Sequence, residues 1–387
     1  MRPVHIHLAR PQRWPWFNLD WEEGKHKRRT KGKGGGQFTK TEGGGGSEQP
    51  APKAAAAEKK PAAKAEGGAQ EAPKRAGKAA GGAGPASGGT MGVVPPLPTN
   101  AAAKAAADLP PQQQVSNLVA QHFSAAEHAA AHNDLSVTTA DVLKEFPPDT
   151  AAKIQAVNER LAVTPETISI HKHGGVYTPE RQLEHQRIID KFMSDAQIAA
   201  ATPAAGDKPT FTLLGGRGGS GKSGLKHTAY NPDTAIVLNS DDIKEELPEY
   251  EGWNAAQVHE ESTDLFNRMT DLAKQLGLNI VHDATMKSPD KAVALATEMK
   301  SAGYRLEAHY MFLPVQHAAN RAVKRFLGDT GRFVPPSIVL SNTRNEHAFD
   351  QVKGMCDAWS FRDNNVPKGT KAKLLAEYRG TGTKGDQ

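Results

Sequence analysis

Residues 211–223, FTLLGGRGGSGKS, limit what this chain can fold into more than any other stretch. A short apolar run, Phe211 to Leu214, ends in glycines and passes into GRGGSGKS, which fits the phosphate-loop pattern G-x-x-x-x-G-K-[ST] from Gly216 to Ser223. The pattern predicts a buried strand, a turn that wraps phosphate and a helix beginning near Lys222. Glycines suit such a turn because they adopt backbone angles closed to other residues and let N–H groups approach the oxygens. Gly216, Arg217, Gly218, Gly219, Ser220 and Gly221 are therefore expected to line a nucleotide's phosphates. Lys222 is expected to reach the β- and γ-phosphates and Ser223 to hold Mg²⁺, with the helix dipole assisting.

Composition restricts how much of the chain can share that domain. Glycine (37) and proline (26) are abundant and the apolar fraction is 37%, below the usual ~45–50%. No apolar run approaches the ~20 residues needed to span a bilayer, and the first residues carry no signal-like apolar stretch. A soluble, cytoplasmic protein is expected. The single cysteine, Cys356, excludes an internal disulfide framework and no partner signature surrounds it. The net charge of +5 does not by itself indicate nucleic acid.

Five segments are expected. In residues 1–41, Trp14, Trp16, Phe17 and Trp21 suit either a partner-protein anchor or a loosely ordered arm, and a basic run follows from Lys25. That run reads as a tail or tether rather than a nucleic-acid site, because no base-stacking platform accompanies it. Residues 42–109, nearly all Ala, Gly, Pro, Lys and Glu, have almost nothing to bury and read as a disordered linker. Residues 110–176 read as small helices: Val115, Leu118 and Val119 share one face, Thr138 and Asp141 resemble a capping box, and Ile154, Val157 and Leu161 line another helix. His122, His128 and His132 are spaced loosely and read as surface or packing residues rather than metal ligands. Residues 177–380 carry the loop domain, opened by a helix with Thr178 as cap and Pro179 in its first turn. Residues 381–387 read as a disordered tail.

Within the loop domain a second apolar run, 235–238, ends in Asn239-Ser240-Asp241-Asp242. Ligands of open α/β sheets sit beyond the carboxyl ends of the strands, so these side chains should face the phosphates. Asp241 is the leading general base for an attacking hydroxyl, with Asp242 and Asp283 as alternatives and Ser240 or Asp242 expected to cap the next helix. Residues 255–276 form an amphipathic helix pattern closed by Gly277, and 279–282 a strand ending at Asp283. Residues 304–313 read as a strand, and the helix pattern 316–326 places Arg321, Lys324 and Arg325 together, with Arg332 on the following turn. Cations on such a segment can close over a nucleotide and neutralise transition-state charge. Residues 338–355 are expected to form one helix, and 359–365 with 373–375 the closing strands.

Taken in order, YTPERQ, GGRGGSGKS, VLNSDDIKEELPEY, NRMTDLAKQLGLNIVHDAT, the arginines and WSFRDNN resemble the zeta-toxin family of kinases over residues 177–379. The resemblance implies a P-loop kinase fold and transfer of the ATP γ-phosphate to the 3′-hydroxyl of UDP-N-acetylglucosamine. It implies nucleotide and Mg²⁺ roles for Lys222 and Ser223, a catalytic role for Asp241 and phosphate contacts for Arg325 and Arg332. Asp271 falls at the family's acidic helix position. Asp283, Thr285 and Lys287 fall where the family holds the sugar nucleotide with Glu, Thr and Arg; Asp is shorter than Glu, and Lys lacks the two-pronged fork of Arg. An antitoxin or a virion protein is the partner class implied. The segment GKGGGQFTK and the glycine-rich linker look like segments of bacteriophage head-associated proteins. A polynucleotide kinase on the same scaffold and a virion component with a structural ATP site are the competing expectations.

Overall fold

The computed structural model describes residues 109–380, except 329 and 368, and the antiparallel two-residue strands Lys27–Arg28 and Phe38–Thr39. The remainder of the expected N-terminal arm and linker, and the 381–387 tail, lie outside the described residues. Among the described residues the first helices are α1 (Pro111–His122), α2 (Ala125–His132), α3 (Thr139–Leu143), α4 (Asp149–Val163) and α5 (Thr167–His171). The capping box at Thr138 and Asp141 forms as expected. The apolar face expected on α1 does not become core: Val115, Leu118 and Val119 are all more than half exposed, and α1 buries only Ala120. On α2, Asp350 accepts bonds from the Ala125 and Ala126 N–H groups at 3.0 and 2.8 Å, which ties this helix to the loop domain.

That domain is a six-stranded sheet of β1 (Thr210–Gly215), β2 (Ile236–Asn239), β3 (Ile280–Asp283), β4 (Arg305–Phe312), β5 (Ala358–Asp363) and β6 (Lys373–Arg379). The strand order is β6-β5-β4-β1-β3-β2, parallel except for the antiparallel β5–β6 pair. From β1 the chain passes to β2 and β3 on one side and then returns to β4 on the other. The carboxyl end of β1 thus lies at the switch point where open α/β sheets receive ligands. Helices α6 (Pro179–Phe192), α7 (Asp195–Ala201), α8 (Ser240–Glu246), α9 (His259–Gln275), α10 (Pro289–Ser301), α11 (Val315–Leu327), α12 (Pro336–Leu340) and α13 (Asn345–Lys353) complete the domain. No helix among the described residues is long and apolar enough to cross a membrane.

The two faces of the sheet differ. Phe211, Leu213, Leu238, Ile280, Leu306, Tyr310 and Phe361 meet Ile188, Leu265, Met269, Met299 and Phe349 in the main core. Alternating residues on the other face include Thr212, Glu307, His309, Ser360 and Arg362, and a cleft of about 200 Å³ opens there, lined by none of residues 216–223. Leu214, Leu225, Val281 and Met311 form a small buried apolar cluster on that side, with Tyr230 and Val237 packed against it. The helix expected from Lys222 is a single 3₁₀ turn, Lys222–Leu225. The turn itself contains Gly224, and Asn231 and Pro232 lie between it and β2; all three are turn formers. The dipole expected from a helix at this point is therefore not built.

Two other expectations change. The helix expected over 338–355 is α12 and α13, separated by a turn whose Asn342 carbonyl accepts Arg217 Nε at 2.8 Å. The long helix expected from 255 begins at His259. Near its start lies Glu261, fully buried, accepting from Arg181 Nε and Nη2 and lying 2.6 Å from His185 Nε2. Burial opposes its charge, but the bonds from Arg181 and His185 outweigh that and hold the carboxyl well below its ordinary value. Its folded pKa being depressed, the stability it contributes is fully present above the unfolded value of about 4.3 and is lost as pH falls below it. Glu261→Gln is expected to lower stability at pH 7 by about 3 kcal/mol and to flatten the acid limb. Urea unfolding at pH 7 and pH 4 measures both.

Candidate active site

The loop is held open by backbone geometry. Gly216, Gly219 and Gly221 take φ of 135°, 85° and 89°. A Cβ on Gly216 would lie 2.5 Å from the Met311 carbonyl oxygen and 2.6 Å from Ser220 Oγ, so no side chain fits there. The N–H groups of Gly219, Gly221, Lys222 and Ser223 carry no intrachain bond among the described residues, the arrangement a bound anion requires. Two side chains brace the loop from outside. Asn364 Nδ2 donates to the Ser220 carbonyl at 2.7 Å, and Arg321 donates to the Gly219 carbonyl and the Asn364 carbonyl at 3.2 Å each.

Asp241, Arg332, Arg325, Lys222 and Asp283 meet around this loop. Strand β3 lies between β1 and β2 in a register that sets Asp283 beside Leu214 and Asn239. Asn239 Nδ2 donates to Asp283 Oδ2 at 3.1 Å, and Lys222 Nζ lies 3.7 Å from Asp283 Oδ1 and donates to the Gly216 carbonyl at 3.0 Å. Asn239, rather than Ser240 or Asp242, caps α8 by accepting from the Asp241 N–H at 2.8 Å. Neither aspartate spends its side chain on that cap. Asp241 Oδ1 receives Arg332 Nη2 and lies 3.4 Å from Lys244 Nζ. Arg325 Nη2 hangs over the loop, 3.9 Å from where a Cβ on Gly218 would stand.

Electrostatics separates the carboxylates. Burial opposes ionisation of Asp241, but Arg332 and Lys244 outweigh it and hold its pKa below the ordinary value. Asp283 is pushed up by burial against the pull of Lys222. Burial, with Glu245, Asp283 and Asp241 nearby, pushes Asp242 up to about 6. The cleft thus holds one firmly ionised carboxylate in contact with a guanidinium. Asp283 Oδ1 and Ser220 Oγ are buried without a hydrogen-bond partner. With the Ser223 hydroxyl beside the loop, this all-oxygen set has the hard-donor chemistry that suits Mg²⁺.

Other expected residues are placed less simply. Thr285 lies on the segment after β3, its carbonyl accepting from Asn345 Nδ2 at 2.7 Å, and Lys287 is exposed nearby. Asp271 does not reach the site. Helix α9 runs antiparallel to the strands, so its last turns lie at their amino ends, and Asp271 instead pairs with Lys274 at 3.0 Å. Arg217 contributes its backbone only: its fully buried guanidinium pairs with Glu346, Nη2 to Oε2 at 2.7 Å, and Tyr310 donates to Glu346 Oε1 at 2.8 Å. Burial pushes the Cys356 thiol up to about 12, in keeping with an inert core residue. Arg321, expected among the cations that close over a nucleotide, instead braces the loop from outside, while Asn364 and Glu346 have no expected role; the signal for Asn364 is its place just after a strand's carboxyl end.

The family model described as Zeta toxin matches residues 195–364. Toxin zeta of Enterococcus hirae is 26% identical over 131 residues, covering 31% of this chain and 45% of that protein. Toxin zeta of Streptococcus pyogenes is 28% identical over 132 residues with the same coverage. The chain thus spans about half the length of the curated relatives it matches. Among solved structures, AvrRxo1-ORF1:-ORF2 with ATP aligns at 19% identity and a TM-score of 0.45, covering 56% of this chain and 78% of that one. Residues 195–364, which carry the loop, the aspartates and the arginines described above, are thus similar to the Zeta toxin family.

Proposed function

We propose that this domain transfers the γ-phosphate of ATP to a hydroxyl of a small molecule, with the 3′-hydroxyl of a UDP-N-acetyl sugar as the acceptor and an antitoxin as the controlling partner. The observation that carries the reading is the meeting of Asp241, Arg332, Arg325 and Lys222 at an amide-lined loop. Phosphoryl transfer needs little covalent help from the protein; it needs positioning and charge neutralisation. The loop amides and Lys222 would hold the polyphosphate, and a Mg²⁺ ion beside Ser223 would offset its charge. Asp241 would accept the proton of the attacking hydroxyl. Arg332 now lies on Asp241, and while it does, it keeps that carboxylate a weak base. Its movement onto the transferring phosphoryl would supply transition-state charge and raise the basicity of Asp241 together. Asp283, Thr285 and Lys287, at the end of β3, would face the acceptor.

Full-length protein incubated with γ-labelled ATP and either UDP-N-acetylglucosamine or a 5′-hydroxyl oligonucleotide tests the reading. Label on the sugar nucleotide is expected. Label on the oligonucleotide would reassign the acceptor class, and ATP binding with no labelled acceptor would favour a structural nucleotide site. Arg332→Met is expected to lower kcat by about 10²–10³-fold, measured by initial rates at saturating ATP.

A further inference from the structure

We propose that His128 and His132 of α2 and Asp363 at the end of β5 form a binding site for a divalent transition-metal ion of the Zn²⁺ class, separate from the nucleotide loop. One ring nitrogen of each histidine and one carboxylate oxygen of Asp363 lie within 4.8 Å of one another. The histidines are four residues apart on a helix and so share a face. Their rings stack with centroids 4.2 Å apart.

Several features fit a metal better than a simple ion pair. His128 Nε2 lies 3.2 Å from Asp363 Oδ2. Zn–N and Zn–O bonds of about 2.0–2.1 Å at the tetrahedral angle put neighbouring ligand atoms about 3.3 Å apart, so this edge is already set. His132 Nδ1 lies 2.7 Å from the His128 carbonyl oxygen. Donation of Nδ1–H to that carbonyl fixes the ring and leaves Nε2 as the free ligand, the supporting contact that metal-bound histidines commonly have. Asp363 is fixed in turn, its Oδ1 accepting from the Asn365 N–H at 2.7 Å. Phe312 and Phe361 stand edge-on to His128, giving the site an apolar wall.

His132 is the exposed member and leaves an open side where water can complete a tetrahedron. Two imidazoles with one carboxylate suit Zn²⁺, Co²⁺ or Ni²⁺ better than the oxygen-seeking Mg²⁺. The third ligand comes from a strand far along the chain, which the spacing of the histidines cannot disclose. Bound metal would pin α2 to β5 one residue before Asn364, whose side chain braces the Ser220 carbonyl of the loop.

The test uses the full chain without added tag histidines, stripped with EDTA and titrated with ZnCl₂ by calorimetry. One Zn²⁺ per chain lost at least tenfold in affinity by His132→Ala is expected, roughly the scale of perturbing a ligand. The variant should fold, because the side chain bonds only to its own helix. With Co²⁺, the parent should develop the visible absorption of tetrahedral coordination and His132→Ala should not. No Zn²⁺ binding to the parent, or binding and Co²⁺ absorption unchanged in His132→Ala, would overturn the proposal.

Discussion

Asp241→Asn is expected to slow phosphoryl transfer by about 10²–10⁴-fold, the range over which a positioned general base contributes. ATP affinity should change only a few-fold. The amide has nearly the same shape and can still be held by its neighbours, but it cannot accept the acceptor's proton. It also loses the charge that draws Arg332 to this point. Arg332 would then be free to engage phosphate without first leaving a carboxylate, so affinity should hold or rise slightly while kcat falls. Single-turnover kinetics separate the two effects. Equal losses in affinity and rate would mean that Asp241 serves binding, and unchanged turnover would pass the base to Asp242 or Asp283.

The largest stability effect is expected at the Arg217–Glu346 pair. Glu346→Ala leaves a guanidinium buried without its counter-charge and deprives Tyr310 of its acceptor. Breaking a buried pair on one side costs about 3–5 kcal/mol. Arg217→Met combined with Glu346→Leu removes both charges together and is expected to recover most of that loss, read from chemical denaturation. Nucleotide affinity of the double variant should stay close to the parent's, since the loop presents its amides rather than this side chain. A large loss of affinity in a well-folded double variant would restore Arg217 to the nucleotide contacts.

The parts most legible in the sequence were those set by local chemistry. A glycine-lysine loop after an apolar run, strand ends rich in aspartate, and arginines beyond the fourth strand could be read because backbone angle, strand polarity and charge are written in short stretches. The cap on α8 was misplaced by one to three residues because Asn239, Ser240 and Asp242 are all good caps and only the strand's end point chooses among them. Asp271 was assigned by motif position, and only the antiparallel run of α9 removes it from the cleft. The helix after the loop fails for a local reason, the turn formers Gly224, Asn231 and Pro232 before β2. Glu346, Asn364 and the His128–Asp363 pairing depend on contacts between distant segments, and no periodicity or spacing encodes them.

The most direct measurement is a crystal structure of the full chain with Mg²⁺ and a non-hydrolysable ATP analogue. The account requires the β-phosphate on the N–H groups of residues 219–223, Arg332 withdrawn from Asp241 onto the γ-phosphate, and the Asp241 carboxylate facing an acceptor hydroxyl position beside it. A nucleotide seated elsewhere, or one in the loop with Arg332 still on Asp241 and the γ-phosphate out of reach of both, would contradict it.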